Sequence, residues 1–321
     1  MSVHRIMGIE NEYGILAPHQ PQMNPVLLSS QVVNAYSQLV FPHRKSRFMW
    51  DYDVEFPLRD ARGFEFLRHQ VDESVLTNED YGVANVILPN GARLYVDHAH
   101  PEYSSPEVTN PLDAMLWDSA GDRIMQRAAE YATELSGELI TVYKNNSDGK
   151  GASYGTHENY QVARSVPFED LVHYLTPFFV TRCIYAGSGR VGIGQEGRIS
   201  GYQISSRADF FEAEVGLETT IRRPIINTRD EPHANAEHHR RLHVIVGDAN
   251  MSQWATFMKT GVTSIVLTLI ENAAVQLDWK LLDPVSAMHS VSHDLDVSQQ
   301  FACTDGVMRG ALEIQRIFLQ A

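Results

Sequence analysis

Four short runs along this 321-residue chain alternate apolar and polar residues with the period of two of a strand that has one wet face. In Ala92-Arg-Leu-Tyr-Val-Asp97, the residues Arg93, Tyr95 and Asp97 share one side and Ala92, Leu94 and Val96 the other. Ile6 to Ile15 alternates as a strand too, with Glu10 and Glu12 on one face and Ile9 and Tyr13 opposite. In Arg241 to Val246, Arg241 and His243 face away from Leu242, Val244 and Val246. Within Gly155 to Tyr160, His157 and Asn159 share a face, and the strand runs over Glu158 to Ala163; Leu139 to Tyr143 reads as another. Between these runs the period becomes helical. Asn110 caps and Pro111 opens a helix carrying Leu112, Met115, Leu116, Ile124, Met125 and Ala128, which stops near Gly137. A second helix covers Phe168 to Tyr185, and Ser252 caps a long one through Val262, Ile265, Val266, Leu269 and Ile270. The fold class expected is α+β: a curved, mainly antiparallel sheet with one wet face, backed by helices on the other.

Composition adds limits. With 43% hydrophobic and 21% charged residues the chain can bury a sizeable core, as one large domain or two smaller ones. The longest apolar stretch, Val262 to Ile270, is too short for a bilayer, and no signal-peptide pattern opens the chain, so no membrane role is expected. Cys183 and Cys303 stand apart in apolar surroundings without metal-finger spacing, which suits a reducing cytoplasm. The net charge of −14 argues against nucleic acid as a general partner. Yet Arg182, Arg190, Arg198, Arg207, Arg222, Arg223, Arg229, Arg240 and Arg241 crowd into one segment, which suggests a cationic groove for an anionic ligand, with Arg207 and Arg229 in it. The stretch from Phe41 to Tyr81 is charged, aromatic and proline-broken, and reads as a functional loop.

The wet faces carry specialised chemistry. Their carboxylates suit magnesium, which leans on one or two carboxylates plus substrate phosphates. Their arginines suit phosphate oxygens, and a carboxylate that is not a ligand can act as base or nucleophile. The pattern predicts a metal–nucleotide cradle on the polar face of the sheet, with Asp97 beside Arg93 and Tyr95 on that face. Gly187-Ser-Gly-Arg-Val-Gly192 matches the dinucleotide-binding glycine pattern in form only. A helix precedes it rather than a buried strand, so it reads as a glycine-rich turn.

Longer blocks resemble a known family. Met7-Gly-Ile-Glu-Asn-Glu-Tyr-Gly14, Asn90 to Tyr103, Tyr143-Lys-Asn-Asn146, Tyr154 to Tyr160, Ile226 to His233 and Arg240 to Asn250 resemble the Pup ligase/depupylase family. That family belongs to the glutamine synthetase-like carboxylate–amine ligase superfamily, and Pup is a small prokaryotic ubiquitin-like protein. The segment from Trp50 to Gly63 and the block Asp97-His-Ala-His-Pro-Glu102 resemble the deamidase/depupylase branch rather than the ligases. The resemblance implies a bowl-shaped sheet holding Mg and ATP, with ATP a bound cofactor rather than consumed at each turnover. By motif it implies Glu10, Tyr95, Glu102 and His243 as metal ligands, Arg93 and Ser105 as ATP contacts, and Asp97 as the catalytic residue. More loosely it gives His157 and Arg241 to the nucleotide and Glu12 to the metal or its water; Ser105 replaces the threonine of the ligases. A neutral phenol is a poor magnesium ligand, so Tyr95 rests on the resemblance alone. His98, His100, His238 and His239 read as surface or supporting residues.

The implied reaction is deamidation of Pup's C-terminal glutamine and cleavage of the isopeptide bond between Pup and a substrate lysine. The partners implied are Pup and pupylated proteins, and a monomer is expected. The rival readings are a Pup–protein ligase and a nucleotide-binding homologue without turnover. The resemblance also implies one catalytic domain over residues 1–321, a loop inserted at about 41–81, and a further C-terminal domain in the family that this sequence does not include.

Overall fold

The computed structural model describes residues 4–43, 58–70, 84–231 and 233–321. Its centre is an open six-stranded sheet in the order β14-β9-β1-β7-β6-β5. The strands are β1 (Met7–Glu12), β5 (Asn85–Ile87), β6 (Arg93–Asp97), β7 (His100–Ser104), β9 (Thr156–Ala163) and β14 (His239–Val244). Every neighbouring pair is antiparallel, and the α+β class expected from the alternation is the one found.

Three helices begin with the same device. Asn24, Asn110 and Asp283 cap α1 (Pro25–Val40), α2 (Pro111–Ser136) and α5 (Pro284–His293), and each is followed by proline, whose fixed φ suits the first turn. The Asn110 side chain accepts from the Asp113 amide at 2.9 Å, and Gly137 ends α2 in the left-handed conformation. Ser252 caps α4 (Gln253–Glu271), while α3 (Phe168–Ala186) and α6 (Ala311–Gln320) lack a side-chain cap.

These helices cover only the apolar face of the sheet. Met7, Ile9, Tyr160, Val162, Leu242 and Val244 pack with α3, α4, α5 and α6 in one core. Leu94, Val96 and Tyr103 pack with α1 and α2 in a second. The approach of α2 is close: a Cβ on Gly121 would lie 2.3 Å from the Tyr103 ring. Between the two cores, the buried Asp118 accepts from Lys144 Nζ at 2.9 Å, Thr256 Oγ1 at 3.1 Å and the Asn11 amide. That network pairs the charge of Asp118 behind the sheet with that of Lys144.

The remaining strands form two-stranded ribbons outside the main sheet: β2 (Gly14–Leu16) with β8 (Thr141–Tyr143), β3 (Arg59–Asp60) with β4 (Phe64–Glu65), β10 (Arg190–Ile193) with β11 (Ile199–Gln203), β12 (Phe211–Gly216) with β13 (Arg223–Asn227), and β15 (Gln300–Ala302) with β16 (Met308–Gly310). The β12–β13 pair is parallel.

Several expectations change. The run from Ile6 to Ile15 is two strands, because the chain leaves the main sheet at Tyr13 and passes beneath Tyr154. Gly14 allows that passage, since a Cβ there would lie 2.3 Å from the Tyr154 hydroxyl. The strand read as Arg241 to Val246 lies at His239–Val244, and Ile245 and Val246 run beyond it. The glycine-rich segment after α3 is only partly a connection: Gly187 to Gly189, with Gly189 at φ +76°, lead out of the helix, and Arg190 to Gly192 lie in β10. Most of the stretch from Phe41 to Tyr81, including Trp50 to Pro57, lies outside the described residues.

The arginine groove is also revised. Arg182 is buried behind the sheet in a two-point pair with Glu158, at 2.8 and 2.7 Å. Arg207 is 1% exposed, donating to the carbonyls of Gly247 (2.6 Å) and Ile245 (2.8 Å). Arg240 is buried over the Phe168 ring. These three hold the fold and cannot meet a docking partner. Glu158→Ala leaves the Arg182 guanidinium buried without its partner, which should cost about 3–5 kcal/mol. Chemical denaturation followed by circular dichroism checks this, and a change under about 1 kcal/mol would show the pair to be dispensable.

Candidate active site

In an antiparallel ladder, residues directly opposite one another share a face. The register pairs Glu10 with Ser104 and His157, Glu12 with Glu102, Tyr95 with Glu102, Arg93 with Ser104, Asp97 with His100, and His243 with Asn159. The four polar faces read in separate strands are therefore one continuous face, opposite the helices. Its central carboxylates are Glu10, Glu12, Asp97 and Glu102.

Toward β14, Glu10 meets two imidazoles. Glu10 Oε2 lies 3.5 Å from His157 Nδ1 and 3.7 Å from His243 Nε2, and the two rings stand edge to face at 5.0 Å. Glu10 Oε1 lies 3.9 Å from the Arg241 guanidinium, which also donates to Glu231 (3.0 Å) and Asn159 (3.1 Å). Burial raises the Glu10 pKa, but the neighbouring imidazoles of His157 and His243 and the charge of Arg241 outweigh it and hold the carboxyl well below the usual range. Burial, helped by Arg241, pushes His243 down to about 3. The contact is thus an ionised carboxylate against a neutral imidazole, the form that ligates metals.

Glu102 behaves oppositely. It is 1% exposed, and burial together with the charges of Asp97, Glu10 and Glu12 pushes its pKa well above the ordinary glutamate value. The Tyr95 hydroxyl bonds to Glu102, and burial and the same carboxylates keep that phenol protonated. Glu12 accepts from the Gly155 amide at 2.9 Å and faces His100 Nδ1 at 3.9 Å. Asp97 ends β6 at the rim. Burial raises its pKa, but the His98 hydrogen bond (3.0 Å) and the charges of His98, His157 and Arg229 bring it below the usual aspartate value.

Arg229 is reached from an unexpected side. Residues 59–61 run along 228–230: Ala61 N donates to Thr228 O at 2.8 Å, and Asp230 N to Arg59 O at 3.0 Å. Asp60 and Arg229 form an isolated bridge, and Arg229 is 9% exposed with its Nε buried and unbonded. The described end of the Trp50 to Gly63 segment therefore braces the arginine nearest Asp97. Nothing in the alternation of the strands marked that contact.

Beside the acidic cluster lies a cavity of about 670 Å³, lined by Glu10, Arg93, Ser105, Asn159, His233 and Arg241 among others. Its size is within the roughly 300–1,000 Å³ of small-molecule sites. Gly8 lies on its floor. Arg93 Nε is held by Asn85 Oδ1 at 2.8 Å. Ser105 Oγ accepts from Ile9 N at 3.0 Å and donates to Pro106 O at 3.2 Å, so it also pins the β1 edge. All ten residues that the resemblance gave to metal, nucleotide or catalysis gather on or beside this face.

A divalent cation and a nucleotide fit what is here. His243 Nε2 is buried without a hydrogen bond, and Glu10, His157 and His243 place ligand atoms within 4.8 Å of one another, as do Glu12, Asp97 and His98. The crowded carboxylates ask for positive charge that the described side chains supply only in part.

An antiparallel sheet backed by helices thus carries an acid–imidazole cluster on its open face, with a cavity beside it that Arg93 and Arg241 line together with Glu10 and Glu107. The chain belongs to the Pup-ligase protein family, whose model matches residues 5–321. It is 59% identical over 320 residues to the depupylase of Acidothermus cellulolyticus, covering 99% of this chain and 63% of that protein. It is 52% identical over 318 residues to the Pup deamidase/depupylase of Mycolicibacterium smegmatis, covering 99% and 64%. The Pup–protein ligase of Acidimicrobium ferrooxidans is 44% identical, covering 98% and 62%. The chain thus spans under two thirds of the length of these relatives. Among solved structures, the complex between Pup and its ligase PafA is similar, with a TM-score of 0.77 at 32% identity, covering 99% of this chain and 56% of that one. A second PafA structure, in complex with ADP, gives 0.67 at 36%, covering 87% and 61%. No described helix is long and apolar enough to cross a membrane.

The His243 shift sets a sign for acid stability. Its folded value of about 3 lies below the ordinary 6.5, so the unfolded chain binds the extra proton and stability falls as pH drops from about 6.5 toward 3. Histidine-resolved NMR should find His243 neutral at pH 5.5 in the folded protein, with protonation seen there counting against this arrangement.

Proposed function

We propose that this chain forms the catalytic domain of an ATP-dependent amidohydrolase that deamidates the C-terminal glutamine of Pup and releases Pup from substrate lysines. The observation that carries the reading is the sharing of one sheet face by ionised Asp97, the Glu10–His243 cluster and the cavity that Arg93 and Arg241 line. Identity to two depupylases above that to a ligase supports hydrolysis over ligation. The ADP complex and Pup complex of PafA support nucleotide and Pup as ligands. A reducing cytoplasm is the compartment this reading implies.

Glu10, Glu102, His243 and the Tyr95 hydroxyl are the proposed metal ligands, with Glu12 holding a metal or its water. Arg93, Ser105, His157 and Arg241 are the proposed nucleotide contacts. When bound, magnesium supplies charge that polarises the reacting carbonyl and anchors the nucleotide phosphates. ATP is a resident cofactor, since amide hydrolysis runs downhill without it.

Both reactions break the C–N bond at the same γ-carbonyl and form a C–O bond, so one site serves both. Asp97 is ionised and either takes a proton from the attacking water or adds to the carbonyl itself. Arg229 lies on the Asp97 side of the face with Nε unbonded and steadies charge growing on the carbonyl oxygen. Where Asp97 acts as base, the leaving amine takes the proton that Asp97 removed from water. Where it attacks, the amine takes a proton from solvent as an anhydride forms on Asp97, and water then opens the anhydride and restores the carboxylate. Either way glutamine gives ammonia and the isopeptide gives lysine amine. A single turnover in ¹⁸O-water separates the two roles, because label enters Asp97 only if it attacks directly.

Incubation of the chain with glutamine-ended Pup, Mg and ATP should release ammonia. Asp97→Asn should slow that release on the order of 10²–10⁴-fold while nucleotide binding stays intact. Full activity in this variant would remove Asp97 from the chemistry, and ATP-driven joining of glutamate-ended Pup to lysine would favour the ligase reading. Arg93→Ala should weaken ATP binding about 10–100-fold by calorimetry, as for a lost charge-assisted bond. Unchanged affinity would move the nucleotide out of the cavity.

A further inference from the structure

The hairpin joining β6 to β7 carries a residue whose backbone and side chain pull in different directions. Asp97 and His100 close the ladder, so His98 and Ala99 form a two-residue turn. His98 takes φ +53°, a left-handed conformation that such turns fill most readily with glycine or asparagine. The position thus holds an imidazole against its backbone preference. From there His98 Nδ1 reaches back 3.0 Å to Asp97 Oδ2. Among the described residues no other hydrogen bond reaches the Asp97 carboxylate; the Glu12 carboxylate lies within 4.8 Å, and His157 and Arg229 act on Asp97 through charge. Asp97 is also the last residue of its strand, so its own ladder does little to fix its side chain.

We propose that His98 is a positioning residue: its Nδ1 clamps one carboxylate oxygen of Asp97 and leaves the other aimed along the polar face at the reacting carbonyl. The left-handed turn makes this possible, because it folds the side chain of residue 98 back onto its predecessor. The cost in turn geometry is then the cost of a fixed carboxylate, as expected where backbone strain gathers at a working site. An ångström of freedom in Asp97 would be felt as a loss of rate rather than of binding. The role in turnover rests on the amidohydrolase reading above; the clamp itself does not.

The test compares His98→Ala, His98→Gly and His98→Asn. In the ammonia assay with glutamine-ended Pup, Mg and ATP, His98→Ala and His98→Gly should lose kcat about 10–100-fold with KM for Pup nearly unchanged. His98→Asn should recover to within a few-fold of the parent, because its Nδ2 stands where Nδ1 stood and asparagine accepts the left-handed turn. His98→Gly should also melt no lower than the parent, which separates lost rate from lost fold. Equal kcat in all three, or an asparagine variant as slow as alanine, would overturn the clamp. If the parent itself releases no ammonia, the functional reading fails separately. Crystal structures then decide the clamp: Asp97 swung away in His98→Ala and in place in His98→Asn supports it, and an unmoved Asp97 in His98→Ala overturns it.

Discussion

Repulsion among Glu10, Glu12, Asp97 and Glu102 governs the open face of this sheet, and most of the surrounding structure answers to it. Like charges at this spacing in a buried setting cannot all ionise without compensation. Glu10 is relieved by two imidazoles and Arg241, and Asp97 by His98 with help from His157 and Arg229. Glu102 has only the Tyr95 hydroxyl and holds its proton instead. The result is a division of labour among chemically similar groups. The same crowding pushes two similar groups in opposite directions, Asp97 below its ordinary pKa and Glu102 well above.

The back of the sheet makes that crowding tolerable. Two separate apolar cores clamp the six strands, and the charges that do lie behind them, Glu158 with Arg182 and Asp118 with Lys144, are paired. A sheet held this firmly from one side can present four carboxylates on the other without parting its strands. Residues 59–61 add a brace at the rim, pairing with 228–230 and holding Arg229 toward Asp97.

How much of this the sequence disclosed follows from what is local. The period of two sorted Glu10, Glu12, Arg93, Tyr95, Asp97, His157, Arg241 and His243 onto wet faces correctly, because face is a property of a single strand. Register is not, and only register brings Glu12 opposite Glu102 or Asp97 opposite His100. The β7 strand went unread since His100-Pro-Glu-Tyr-Ser104 carries a proline and little alternation in hydropathy, although Tyr103 is fully buried. The helices α1 and α5 also went unread, although Asn24-Pro25 and Asp283-Pro284 repeat the signal that identified α2. The arginine cluster misled because nearness in sequence says nothing of direction, and the carbonyls that hold Arg207 come from chain 38 to 51 residues away. His98 looked like an ordinary surface histidine, since a left-handed backbone leaves no mark in composition.

On the function proposed above, a divalent cation held by this cluster would take the place of a proton on Glu102, whose pKa is pushed well above the ordinary glutamate value. Calorimetric titration of the chain with magnesium at pH 6, repeated in buffers of different ionisation enthalpy, measures protons exchanged per ion bound. The account predicts saturable binding with net release of about one proton, abolished by Glu102→Gln. Binding with no proton release, or release that persists in Glu102→Gln, would contradict it.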